Sequence, residues 1–127
     1  MDDYLERRAY PRLDYEVYAK YKVLLDNVNQ MHMDYLFAKT KNISRGGVCI
    51  KLPINVDISS MVSMEMFFPI KEREKLLRVI GEVRWCREIN PVEYMAGLSF
   101  VVINAEDTEF LSTFIDQKIK GNGSKNN

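Results

Sequence analysis

Two stretches of this chain carry the side chains best suited to recognition chemistry. Arg7, Arg8 and Arg12 cluster near the start, and the polar hexapeptide Asn42-Ile43-Ser44-Arg45-Gly46-Gly47 follows about thirty residues later. Arg8 and Arg12 stand in an R-x-x-x-R spacing, and Pro11 between them pushes its neighbour towards extended backbone, so the arginines belong on an extended or turning segment. A guanidinium is a planar fork of donors that pairs with phosphate oxygens or with O6 and N7 of guanine, and it stacks on bases. Asn42 offers an amide that both donates and accepts, and Ser44 a compact hydroxyl. Gly46 and Gly47 are expected to permit positive φ and to let a ligand approach the backbone. Each stretch also has a plainer reading. The arginines can be solvated charges paired with Glu6 or Asp14, and Asn, Ser and Gly favour turns for reasons of their own.

Other chemistries find little support. Cys49 and Cys86 lack CxxC spacing, and His32 is the single histidine, so the usual ligands of a zinc site are missing. Both cysteines read as small buried hydrophobes rather than a disulfide. One histidine permits no Ser-His-Asp arrangement beyond His32 itself, which sits in a loop-like stretch. No phosphate-binding glycine motif appears, and the carboxylates are scattered along charged strand faces. The reading is therefore a binding protein, not an enzyme, with no cofactor. Lys plus Arg balance Asp plus Glu at 18 each, which argues against a DNA or RNA polymer as partner. No apolar run is long enough for a membrane helix, and the acidic first residues do not read as a signal peptide, so a cytoplasmic protein without membrane insertion is expected.

The elements that must position these residues are mostly strands, because apolar residues recur with period two. Tyr15, Val17, Ala19, Tyr21 and Val23 share a face of a first run. Residues 35–44 and 46–53 form a second and third strand around the Asn42–Gly47 turn, with Val48, Ile50 and Leu52 on one face. Val62, Met64, Met66 and Phe68 align in a fourth, and "KEREK" is a charged hairpin tip. Val79, Gly81, Val83 and Trp85 alternate in a fifth, with Trp85 expected in the core and Gly81 marking a bulge or close approach. Residues 94–103 give a sixth strand. Phe110, Leu111, Phe114, Ile115 and Ile119 then fall at helical spacing, after Asn104 as N-cap and before Gly121 as a stop. The expected fold is all-β: a six-stranded antiparallel barrel with one helix packed on it after the last strand. Residues 1–13 form a flexible arginine segment, 14–120 the barrel and helix, and 121–127 a disordered tail.

Taken in order, the R-x-x-x-R pair and the Asn-x-Ser-x-x-Gly turn resemble the two motifs of the PilZ domain family. Arg8 and Arg12 match the first, and Asn42, Ser44 and Gly47 the second. "GEVRWCRE" followed by "YMAGLSFV" is similar to the family's later strands, with Gly81, Val83, Trp85, Gly97 and Phe100 in place, so the similarity covers roughly residues 6 to 118. The resemblance implies a stand-alone receptor for the bacterial second messenger cyclic di-GMP. It implies that Arg8 and Arg12 clamp phosphates and a guanine edge, with Arg7 adding to the phosphate contacts. It implies that Asn42 meets the polar edge of a guanine and Ser44 adds a hydrogen bond nearby, with Gly47, beside Gly46, keeping the turn open. A change of conformation would then be read by an unidentified downstream protein in motility, pilus, exopolysaccharide or virulence control, the receptor itself being a monomer or weak homodimer. A non-binding interaction scaffold of the same family is the second reading, and an OB-like or SH3-like barrel for oligonucleotides the third.

Overall fold

Alternation along the chain builds strands that have one buried and one open face, and such strands are stable only when a sheet covers that buried face. The computed structural model describes residues 10–24 and 35–125, so Arg7, Arg8, Met31, His32 and Met33 lie outside the described residues. The strands are β1 (Leu13–Asp14), β2 (Tyr18–Leu24), β3 (Leu36–Ser44), β4 (Gly47–Leu52), β5 (Met61–Ile70), β6 (Arg73–Asn90) and β7 (Glu93–Val102), followed by helix α1 (Ala105–Lys125). Antiparallel pairing runs β3-β2-β5-β6-β7-β4, and β4 pairs back onto β3, closing a six-stranded barrel with β1 as a short addition to β3. Closure leaves no long unpaired edge among these six strands.

The predicted inward faces are the ones that fill the barrel. Val17, Ala19 and Tyr21 of the first run, Val48, Ile50 and Leu52 of β4, and Val62, Met64, Met66 and Phe68 of β5 are all buried. One inward row crosses five strands in register, Leu13–Ile43–Val48–Leu98–Val83, and every member is buried. The first run is not one strand, however. Thr40 Oγ1 accepts from Val17 N at 2.8 Å and donates to Tyr15 O at 2.7 Å. Its side chain thus takes over ladder bonds between β1 and β2, and the chain bends there to pair with two different parts of β3.

Helix α1 lays its apolar stripe over the barrel near β1 and β3. Leu111, Phe114 and Ile115 are buried. Phe114 meets Tyr15 and Phe68 edge to face at centroid distances of 5.1 and 5.2 Å, arrangements favoured by ring quadrupoles. Asn104 caps the helix, its Oδ1 accepting from Asp107 N at 2.8 Å. Buried Asp107 is paired with Lys75 at 3.4 Å. Three expectations for this segment need correction. Ile119 is exposed, so the stripe ends one turn earlier, and the helix passes through Gly121 to Lys125. A glycine costs a helix interior only about 1 kcal/mol, so it did not act as a stop, and the segment expected to be disordered from 121 is helical as far as Lys125.

The charged tip also proved shorter than "KEREK". Ile70 pairs with Arg73, leaving Lys71–Glu72 as the turn, with Lys71 at φ 55°.

Candidate functional site

The hexapeptide that reads as a turn is mostly strand. Asn42 and Ser44 belong to β3 and Gly47 to β4, so only Arg45 and Gly46 form the link. Ser44 Oγ accepts from Gly46 N at 3.2 Å and from Gly47 N at 3.1 Å. Its hydroxyl therefore shapes the turn, which is the local bonding that makes serine a turn residue. Phe100 N donates to Gly46 O at 2.9 Å and ties the turn to β7. Neither glycine has positive φ, contrary to the expectation from sequence. The need for Gly47 is steric: a Cβ there would sit 2.3 Å from Leu98 O of the neighbouring strand. At Gly46 the nearest atom would be the Tyr10 ring, at 3.0 Å.

Two bulges decide what the outer face presents. In β3 the register shifts so that Thr40 pairs with Ile50 and Asn42 with Cys49, leaving Lys41 as the extra residue. In β6 it shifts so that Val83 pairs with Leu98 and Trp85 with Gly97, leaving Arg84 extra. Directly paired residues point to the same side of a sheet. Trp85, two residues after an inward valine, is thus turned outward by the bulge and is half-buried rather than in the core. Its indole lies against Gly97, where a Cβ would come within 2.2 Å of Nε1. Arg87 lies over the same ring, with Cζ 5.3 Å from the centroid.

The outward rows form the floor of a cleft of about 400 Å³. One row runs Asn42–Cys49–Gly97–Trp85 and the next Ser44–Gly47–Ser99, both across β3, β4 and β7. Tyr10, Arg12 and Arg84 also line it. Arg45 stacks on Tyr10, with Cζ 5.2 Å from the ring centroid, so the cleft is flanked by two arginine–aromatic pairs, Tyr10–Arg45 and Trp85–Arg87. Burial pushes the Cys49 thiol above its ordinary value, while the Arg87, Arg12 and Lys41 charges pull the other way. Those three cations therefore lie close enough to act on the middle of the floor.

The structure thus brings together Arg12, Asn42, Ser44, Gly46 and Gly47 of the sequence candidates. Arg7 and Arg8 lie outside the described residues. Sequence reasoning placed Trp85 in the core, matched it and Gly97 to a family pattern, and passed over both, with Tyr10, Arg84, Arg87 and Ser99, as site residues. The available signal was a tryptophan flanked by arginines in "VRWCR" and a small-residue stretch "AGLS" to receive it. Among the described residues no group of His, Cys, Asp or Glu is placed to hold a metal ion, and no helix is long and apolar enough to cross a membrane.

A family model described as PilZ domain matches residues 6–117, most of the chain. The chain belongs to the PilZ domain family. Among solved structures, this PilZ domain is similar to the Bacillus subtilis inhibitor of motility MotI/DgrA, with a TM-score of 0.76 and 17% identity over 91% of this chain. It spans about half of that protein, 52% of its length. It is also similar to the PilZ domain of YcgR from Escherichia coli, a structure with c-di-GMP, with a TM-score of 0.64 and 12% identity, covering 94% of this chain and 98% of that one. A tetrameric PilZ domain protein of Xanthomonas campestris matches at TM-score 0.62 and 11% identity, covering 91% and 90%. At these identities the likeness establishes the fold. No curated protein matches the chain.

Proposed function

We propose that this PilZ domain is a receptor for cyclic di-GMP, regulatory rather than catalytic, and that the cleft on β3, β4 and β7 is where it binds. The observation that carries the reading is the convergence of Arg12 with Asn42, Ser44 and the Trp85 indole on one glycine-floored cleft. Cyclic di-GMP is small, doubly anionic and flat at its two bases. Arg12 supplies a fork for a phosphate or for the guanine O6–N7 edge, and Arg8 joins it, with Arg7 as a further cation. Asn42 meets the polar edge of a guanine. Ser44 Oγ already accepts from the Gly46 and Gly47 amides, so its main role here is to hold those glycines in place, with its proton directed at Gly47 O 3.4 Å away. A guanine stacks at Trp85, either adding to the Arg87 guanidinium or replacing it on the ring.

The closing of the arginine segment over the ligand is the conformational signal, and a downstream protein reads the surface so formed. That a structural neighbour is named an inhibitor of motility supports motility control as the process. Titration calorimetry with cyclic di-GMP on the wild type and on Arg8→Ala and Arg12→Ala tests the reading. Saturable binding that either substitution abolishes supports it, and the fitted ratio gives the number of ligands per chain. A flat titration of folded protein overturns it and leaves the non-binding scaffold.

A further inference from the structure

Round the barrel, β2 and β7 stand opposite: β5 and β6 separate them one way, β3 and β4 the other. The outer face of β2, with the adjoining halves of β3 and β5, is a second unusual surface. Lys39, Tyr18 and Phe67 face one another in one row, and Phe37, Lys20 and Glu65 in the next. Tyr18 and Phe37 are 64% and 67% exposed. Each lysine lies over a ring: Lys39 over Tyr18 at 5.1 Å, Lys22 over Tyr35 at 5.2 Å, and Lys20 between Phe37 and Phe67 at 5.9 and 5.8 Å. The carboxylates on this wall are already engaged, Glu16 with Lys39 at 3.8 Å and Glu65 with Arg78 of β6 at 3.0 Å.

We infer that this wall docks the barrel, without insertion, on an anionic phospholipid surface. Three features of the wall select that occupant. Lysines alternate with rings, so a protein partner would have to desolvate an ammonium at every second position, whereas lysine is depleted from the cores of protein interfaces. A layer of mobile phosphate headgroups meets scattered ammonium groups without fixed matching carboxylates. Tyrosine, with an apolar body and a polar tip, suits the level of the headgroups, and the exposed Phe37 extends the apolar part of the contact. None of the wall's residues belongs to the cleft, so the inference stands whether or not cyclic di-GMP is the ligand.

Co-sedimentation of the purified protein with vesicles tests it. Vesicles of equal parts phosphatidylcholine and phosphatidylglycerol should carry the protein down, vesicles of phosphatidylcholine alone should not, and added salt should release it. The double substitution Lys20→Glu with Lys39→Glu should weaken binding by at least about twenty-five-fold, since each basic residue near a membrane contributes roughly a factor of five and the new carboxylates add repulsion. The pair Tyr18→Ser with Phe37→Ser should weaken it severalfold at unchanged charge. All four positions lie on the open side of their strands, and a melting curve of each variant confirms its fold. Failure to bind the anionic vesicles, or binding that the lysine substitutions leave intact, overturns the inference. Equal retention by poly-L-glutamate or by oligodeoxythymidylate also overturns it, in favour of an acidic protein or a single strand.

Discussion

Two opposite walls of one barrel combine cations with aromatic rings, yet they are built for different contacts. On the β4–β7 wall the cations that lie on rings are arginines, Arg45 on Tyr10 and Arg87 on Trp85, and the floor between them is opened by Gly47 and Gly97. On the β2 wall the cations are lysines, and no glycine interrupts the strand. A guanidinium is a rigid fork that reads the shape of one anion, while an ammonium is a point charge on a flexible stem. The difference teaches that ring-and-cation composition alone does not define a site. Missing side chains make the concavity, and bulges choose which residues look into it.

The comparison breaks most severely at Gly47. Gly47→Ala places a methyl against the Leu98 carbonyl, and overpacking of that kind costs about 3 kcal/mol, read as a lower urea midpoint. Tyr18→Ala on the opposite wall removes exposed surface and should change stability by less than about 0.5 kcal/mol. Trp85→Ala should weaken cyclic di-GMP at least about fivefold in calorimetry, because stacking on an aromatic contributes about 1–3 kcal/mol per base, while Lys20→Glu leaves that titration unchanged. If both substitutions weakened it equally, the separation of the two walls would be wrong.

A smaller effect concerns Asn42. It pairs directly with Asp14 across β1 and β3, and like charges in that position repel, which accounts for a neutral amide here. Asn42→Asp should lower the melting temperature slightly, with a loss of about 0.5 kcal/mol, and Asp14→Asn in the same chain should restore it. The smallest effect is at Cys49. With its thiol held above the ordinary 9.0, the stability linked to this group is complete below about pH 9 and declines as pH rises further. Iodoacetamide should label Cys49 slowly at neutral pH and faster in alkali. Cyclic di-GMP should slow the labelling, whereas anionic vesicles should not.

Much of this was legible in the chain. Period-two alternation placed Val62, Met64, Met66 and Phe68 inside correctly, and Gly81 does sit at a register shift with a close approach to Leu98. Two motifs in order led to the family and to Asn42 and Ser44. The bulges were not legible, because alternation carries no mark of the residue at which its phase slips. Inward positions in β3 run Ala38, Thr40 and then Ile43, and in β6 Val79 and Val83 give way to Cys86. Trp85, just past such a slip, was therefore assigned to the wrong side. The split of the first run was hidden for a different reason, since Thr40 acts on it from another strand.

The hydrogen bonds of the Arg45–Gly46 turn have a kinetic consequence. Ser44 Oγ and the Phe100 amide hold the turn before any ligand arrives. The floor need not rearrange on encounter, so substitutions there should leave the association rate nearly constant and appear as shorter residence times.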